Sequence, residues 1–219
     1  MSLRMMLLLL LAVVVAACGR HHDTKTVVQL PPIEVPVEVP VPAPPAPLTD
    51  VEQIIADKNE FRIASGQLPL TKGLTCTLHE SSNPDLTVAL PSAKYTFAMF
   101  MAFNQPDSSV NTRLNILPPA LQAMYVNNFA IRCQGQIVIT ESGYYPFELT
   151  SDDGSMLYID GALTVNNNGN HGSTTVVGAK LLERGVHSFR LDYAQTGGGS
   201  QSLILKSSGV VIPADNFYR

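Results

Sequence analysis

From Leu70 to the C terminus the chain runs as short apolar stretches, each enriched in β-branched or aromatic residues and each closed by Gly, Asn, Asp, Ser or Pro. The stretches 95–103 (YTFAMFMAF), 130–140 (AIRCQGQIVIT), 144–150 (YYPFELT), 155–159 (SMLYI), 186–193 (VHSFRLDY) and 202–206 (SLILK) suit strands better than helices. Many short strands at near-regular intervals predict an all-β fold, an antiparallel β-sandwich over 70–219. Only 119–126 (PALQAMYV) offers a further helix, of one or two turns.

The segment ahead of Leu70 cannot join that sandwich. Eight prolines, Pro31, Pro32, Pro36, Pro40, Pro42, Pro44, Pro45 and Pro47, fall between Leu30 and Leu48. Proline donates no amide hydrogen bond and biases its predecessor towards extended backbone, so polyproline II is the natural state here. Nineteen such residues span on the order of 60 Å when extended. The reading is a semi-rigid stalk, with recognition by a proline-binding partner as the alternative. After it, Thr49 or Asp50 can cap a helix over 49–66 that ends near Gly66. Its apolar positions Val51, Ile54, Ile55, Phe61 and Ile63 are packing surface for docking on the main domain.

At the other end, Arg4 precedes an unbroken apolar run, 5–15, closed by Ala16 and Ala17. This is the pattern of a secretory signal over 1–17, too short for a comfortable membrane span. Val15-Ala16-Ala17-Cys18 resembles the lipobox of bacterial lipoproteins, whose cysteine thiol carries a diacylglycerol and becomes the first residue after cleavage. That resemblance makes Cys18 the lipidation site, 18–48 a lipidated spacer with His21 and His22 solvated beside the anchor, and the membrane a partner through the lipid alone. The location expected is the bacterial cell envelope, and Gly19 in place of an aspartate favours the outer membrane. An ordinary signal peptide with a chance cysteine is the competing reading.

Charge and cysteines narrow the partners. With 14 Lys+Arg against 18 Asp+Glu, a formal net of −4, no basic patch exists for phosphate backbones, and nucleic acid is excluded as a partner. Of the three cysteines, Cys76 and Cys133 remain once Cys18 is set aside. An exported chain meets an oxidising compartment, so these two are expected to form a disulfide. A free thiol pair or half a metal site is the alternative.

The run GYYPFELTSDDGSMLYIDG (143–161) resembles the core signature of the PA-fourteen domain family, named for the anthrax protective antigen. NGNHG (168–172), the stretch from Leu181 through VHSFRLDY (186–193), the glycines 197–199 with Leu203-Ile204-Leu205, and IPADNFY (212–218) are similar to its later motifs. The resemblance is specific over 130–219 and weaker over 70–129. Cys133 stands where an aromatic is common, and the family's frequent tryptophans are missing. Membership implies a jelly-roll-type sandwich and, most often, carbohydrate recognition without catalysis. In the adhesin branch, which includes GLEYA-type relatives, the aspartates matching Asp152 and Asp153 hold calcium across a cis peptide, and the ion chelates sugar hydroxyls. Two carboxylates present hard oxygens to a hard cation, but strand alternation sends neighbouring side chains to opposite faces, so such a site needs distorted backbone.

On that implication calcium is the expected cofactor and a glycan or envelope polysaccharide the expected partner. Asp152, Asp153 and Gln195 are the metal ligands, Gln195 aligning with the adhesins' calcium-binding asparagine but one methylene longer. Asn166, Asn167, Asn168, Asn170 and His171 in one loop, and Thr196, Gly197 and Gly198 in another, are the expected ligand-binding residues. The plain alternatives stay open. Asp-Asp-Gly-Ser and Asn-Gly are ordinary turn sequences, and His171 in such a loop more often pins backbone. A Ser155–histidine constellation lacks any catalytic motif around it. The rival reading is a structural envelope protein that contacts another protein and uses the aspartates only to turn.

Overall fold

The computed structural model describes residues 50–107, 113–197 and 199–219. The expectations for the signal segment, Cys18, His21, His22, the stalk, Thr49 and Gly198 lie outside the described residues.

The first element, α1 (Val51–Ala64), follows Asp50, whose backbone is left-handed and whose side chain makes no capping bond, so Asp50 does not supply the side-chain cap. The helix ends as expected. Gly66 has φ 74°, and the amides of Gly66 and Gln67 donate back to the carbonyls of Ile63 and Arg62. Ile54 and Ile55 pack with Leu70, Val138 and Tyr218. Phe61 and Ile63, expected on the packing face, are instead exposed, because the apolar surface under the helix is confined to that small cluster.

The strands are β1 (Leu74–Glu80), β2 (Tyr95–Met99), β3 (Asn104–Gln105), β4 (Phe129–Ile139), β5 (Gly143–Asp152), β6 (Ser155–Ile159), β7 (Ala162–Asn167), β8 (Thr174–Leu182), β9 (Gly185–Gln195), β10 (Ser202–Ser207), β11 (Val210–Val211) and β12 (Phe217–Tyr218), with α2 (Pro119–Met124) ahead of β4. Their pairing is antiparallel throughout. One sheet has the order β2-β1-β4-β9-β6-β7 with β12 also on β4, and the other β11-β10-β5-β8 with β3 on β10. We call these sheet A and sheet B. The all-β sandwich expected from the punctuated sequence is what forms.

Alternating residues of the two sheets meet in the core, Ile131, Ile137, Leu157 and Leu191 from sheet A against Phe147, Leu149, Leu203 and Leu205 from sheet B. With no Trp in the chain, Phe and Tyr fill the wide part of the sandwich; the Phe189 and Phe217 rings lie 4.9 Å apart, and Phe103 meets Phe217 edge-on at 5.7 Å. Cys76 and Cys133 sit opposite each other on β1 and β4 and form the disulfide, fully buried.

The connections decide where a site can form. The links β5→β6, β7→β8 and β9→β10 each pass from one sheet to the other, and all three emerge at the same end of the sandwich. The first is Asp153-Gly154 and the next two are 168–173 and 196–201.

Candidate functional site at the crossover end

Asp152 closes β5 in sheet B and Ser155 opens β6 in sheet A, so Asp152-Asp153-Gly154 carries the chain between sheets rather than round a hairpin. The plain turn reading of these residues is therefore not what the chain does. The Asp152–Asp153 peptide is cis, the form that the resemblance implied. Gly154 does not have the positive φ that a turn glycine would use. What it supplies is room: a Cβ there would lie 2.7 Å from the carbonyl oxygen and 2.8 Å from the nitrogen of Gly169. The first and second crossover loops thus pack backbone against backbone.

The two aspartates have different surroundings. Asp153 is buried, and its Oδ2 accepts from the amide of Thr196 at 2.9 Å, the amide of Gly197 at 3.3 Å and the Thr196 hydroxyl at 3.4 Å. Its own amide donates to Oε1 of Gln195 at 3.2 Å. Asp152 is half-buried, and no hydrogen bond to its carboxylate occurs among the described residues. Burial pushes its carboxyl above the usual range, and the neighbouring charges of Asp153 and Asp107 push it further, while His171 pulls the other way.

Beneath the aspartates lies a polar floor whose groups are used up internally. The Tyr193 hydroxyl reaches both the Asp152 carbonyl and Oε1 of Gln195, and burial pushes that phenol well above its ordinary range. Gln195 is fully buried; its Nε2 donates to the carbonyls of Gly197 at 2.7 Å and Ser200 at 3.1 Å. Ser151 and Ser155 pair through their hydroxyls at 2.7 Å, and Asn167 Nδ2 donates to Ser151 Oγ at 2.9 Å.

Three expectations for individual residues need correction. Gln195 does not present its carbonyl to a ligand, because that oxygen accepts from Asp153 and Tyr193 while the amide braces the third loop. Asn167 is buried and ties β7 to Ser151 and to the Thr174 carbonyl. Asn168 is taken by a strap formed by residues 81–94: its Oδ1 accepts from the Leu86 amide at 2.9 Å and its Nδ2 donates to Asp85 at 2.8 Å.

The remaining loop residues differ. Asn166 and Asn170 are exposed, and Asn170 Nδ2 reaches the Thr196 hydroxyl at 3.4 Å, which joins the second and third loops. Both ring nitrogens of His171 face backbone carbonyls, those of Gly172 and Asn167, so this histidine pins the loop, as its position suggested. With Ser155 on Ser151 and His171 on carbonyls, the serine–histidine combination is not assembled. His187, likewise, sits between Asp160 and the Glu183 carbonyl on the opposite end of the strands. Asp107 and Asp85 were missed from sequence, since both belong to segments remote from the Asp-Asp run and carry no motif.

These residues fit a hard cation in part. A half-buried carboxylate without a hydrogen-bond donor, held beside two more carboxylates, is relieved by a divalent ion. Among the described residues no three His, Cys, Asp or Glu side chains converge as a metal cluster, so an ion here would need main-chain or amide oxygens beside Asp152 and Asp153.

Comparison with known proteins bears on the fold. The family model described as the PA14 domain matches residues 119–215. No curated protein matches the chain. Among solved structures, the PA14 sugar-binding domain from an RTX adhesin aligns at 18% identity over 67% of this chain and 98% of that one, with a TM-score of 0.50. The PA14 domain of the MpAFP antifreeze protein aligns at 19% identity over 68% of this chain and 91% of that one, also at 0.50. An anti-sigma factor domain-containing protein from Clostridium clariflavum aligns at 22% identity over 68% of this chain, with a TM-score of 0.50, and the chain spans 47% of that protein's length.

Proposed function

We propose that this chain, whose residues 119–215 match the PA14 domain model, is a non-catalytic, calcium-dependent carbohydrate-binding protein, anchored in the bacterial cell envelope by a lipid on Cys18. The observation that carries this reading is the meeting of three sheet-crossing loops around Asp152, whose carboxylate is half-buried, beside Asp153, and without a hydrogen-bond donor among the described residues. The likeness in fold to a PA14 sugar-binding domain supports it.

In this reading Asp152 and Asp153 hold the ion. Bound calcium supplies coordination positions for sugar hydroxyls. The chain's own residues do the rest. Gln195 and Tyr193 fix the loop that carries Thr196 and Gly197, and the amides of those two hold Asp153 in place by neutralising part of its charge. Asn166 and Asn170, being exposed amides, offer both donors and acceptors to a saccharide. Gly197, on the third loop beside Asp153, borders the ion. In this reading the proline-rich segment 30–48 is a spacer between the lipid and the folded part, and the outer membrane is the location that suits display.

A glycan array probed with the protein in calcium and again in chelator tests the proposal. Binding to a defined set of sugars that chelator abolishes is the expected result, and binding that chelator leaves intact removes the ion from the account. A second reading, a protein-interaction role in the envelope, is favoured by one observation: Tyr144, Val177 and Leu181 stand exposed together on the outer face of sheet B.

A further inference from the structure

The outer face of sheet A carries a second constellation, away from the crossover loops. Along β4 the outward positions are Ala130, Arg132, Gln134, Gln136 and Val138. The strap of residues 81–94 covers the first, where Leu86 packs with Ala130, Met156 and Ala194. The helix α1 covers the last, where Ile54 and Ile55 pack on Val138. Between them the sheet lies open over Arg132, Gln134 and Gln136, and Ala130 and Val138 are about 27 Å apart at the usual strand rise. A trough results, walled by the strap and the helix and floored by polar side chains.

The cationic groups on this floor are held rigidly and are not all spent. Asp192, with no exposed side-chain surface, takes both oxygens to Arg132, at 2.8 Å to Nε and 2.9 Å to Nη2. Arg190 approaches the same carboxylate only at 3.4 Å, and its Nε is buried with no hydrogen-bond partner. Its guanidinium carbon lies over the Tyr158 ring, 3.6 Å from the centroid. One aspartate therefore faces two guanidiniums, which leaves a net positive charge, and Arg190, the more loosely paired of the two, has its side chain 32% exposed. Beside it in register stand Gln134 and then Thr75, both exposed.

We infer that this trough is a second binding site, independent of calcium, for a carboxylate-bearing saccharide, whose carboxylate pairs with Arg190 and whose hydroxyls meet Gln134 and Thr75. A planar guanidinium presents paired N–H edges that match a carboxylate, and a stacked one surrenders little freedom on binding. The neighbouring amide and hydroxyl groups favour a polyhydroxylated chain over an acidic peptide, because each donates and accepts. The site shares no residue with the crossover end, so it stands whether or not calcium binds there.

The test is calorimetric titration of the full chain with hexagalacturonate in excess chelator, beside a neutral hexasaccharide and hexaglutamate. Binding of the uronate alone is expected, weakened roughly tenfold or more by Arg190→Gln and unchanged in Asp152→Asn. Arg190→Gln removes a stacked group, so Gln134→Ala, at an exposed position, serves as the second variant and is expected to weaken binding several-fold with the melting temperature unchanged. No binding of the uronate, equal binding of hexaglutamate, or full affinity in both variants overturns the inference.

Discussion

Loss of the Cys76–Cys133 disulfide is expected to lower the unfolding free energy by about 4 kcal/mol. The bond closes a loop of 57 residues, and the chain-entropy model assigns a loop of that length about 4 kcal/mol through restriction of the unfolded chain. For a domain of this size the melting temperature should fall on the order of 10 °C. Both cysteines are fully buried between β1 and β4, so reductant alone should act slowly on the folded protein and quickly once denaturant opens it. Denaturation of the Cys76→Ala/Cys133→Ala protein beside the parent measures the effect. A midpoint that does not move would show that the sandwich derives nothing from the bond.

Asp192→Ala is expected to cost about 3 kcal/mol. Removing one member of a buried, hydrogen-bonded ion pair leaves its partners uncompensated, which costs about 3–5 kcal/mol. The lower end applies because Arg132 and Arg190 are 27% and 32% exposed and regain some water. The position is central, in β9 between β4 and β6, so the loss should appear as a cooperative shift in urea unfolding with an unchanged slope. A cost under about 1 kcal/mol would mean that the arginines find water without penalty.

The strands that the sequence shows clearly are those with a continuous apolar or aromatic signal, β4, β5, β6, β9 and β10. β8 was harder to see: its TTVVGAKLL carries exposed Val177 and Leu181 on one side and Gly178 on the other, where a Cβ would lie 1.9 Å from the Thr164 carbonyl. Val176 and Leu182 face the core, so both sides of the strand carry apolar residues and no alternation shows. β1 reads LTCTLHE with Leu74, Cys76 and Leu78 buried and the alternation broken by buried His79 and exposed Glu80, a period too short to weigh alone. β7, ALTVNN, ends in the polar residues that looked like loop.

The same logic divides the candidate site. Asp152 and Asp153 are legible because their chemistry lies in adjacent residues. The tasks of Asn167, Asn168 and Gln195 are not, because their partners stand elsewhere in the chain: Asn168 holds Asp85, 83 positions away, and Gln195 holds Asp153, 42 away. An asparagine-rich loop supplies scaffolding and contact surface from one composition, and only tertiary pairing separates the two.

Calcium titrated by calorimetry into chelator-treated protein, beside Asp152→Asn, tests the central claim most directly. The electrostatics set the sign of a companion melt. Burial and the charges of Asp153 and Asp107 raise the Asp152 carboxyl, so the folded state holds that proton more tightly than the unfolded one. The resulting stability is present at acid pH and is lost as pH rises through the raised value. At neutral pH without the ion, Asp152→Asn should therefore melt no lower than the parent, and added calcium should raise only the parent. Saturable heat in the parent and none in Asp152→Asn is the result the account predicts. No heat in the parent, or equal heat in both proteins, would contradict it.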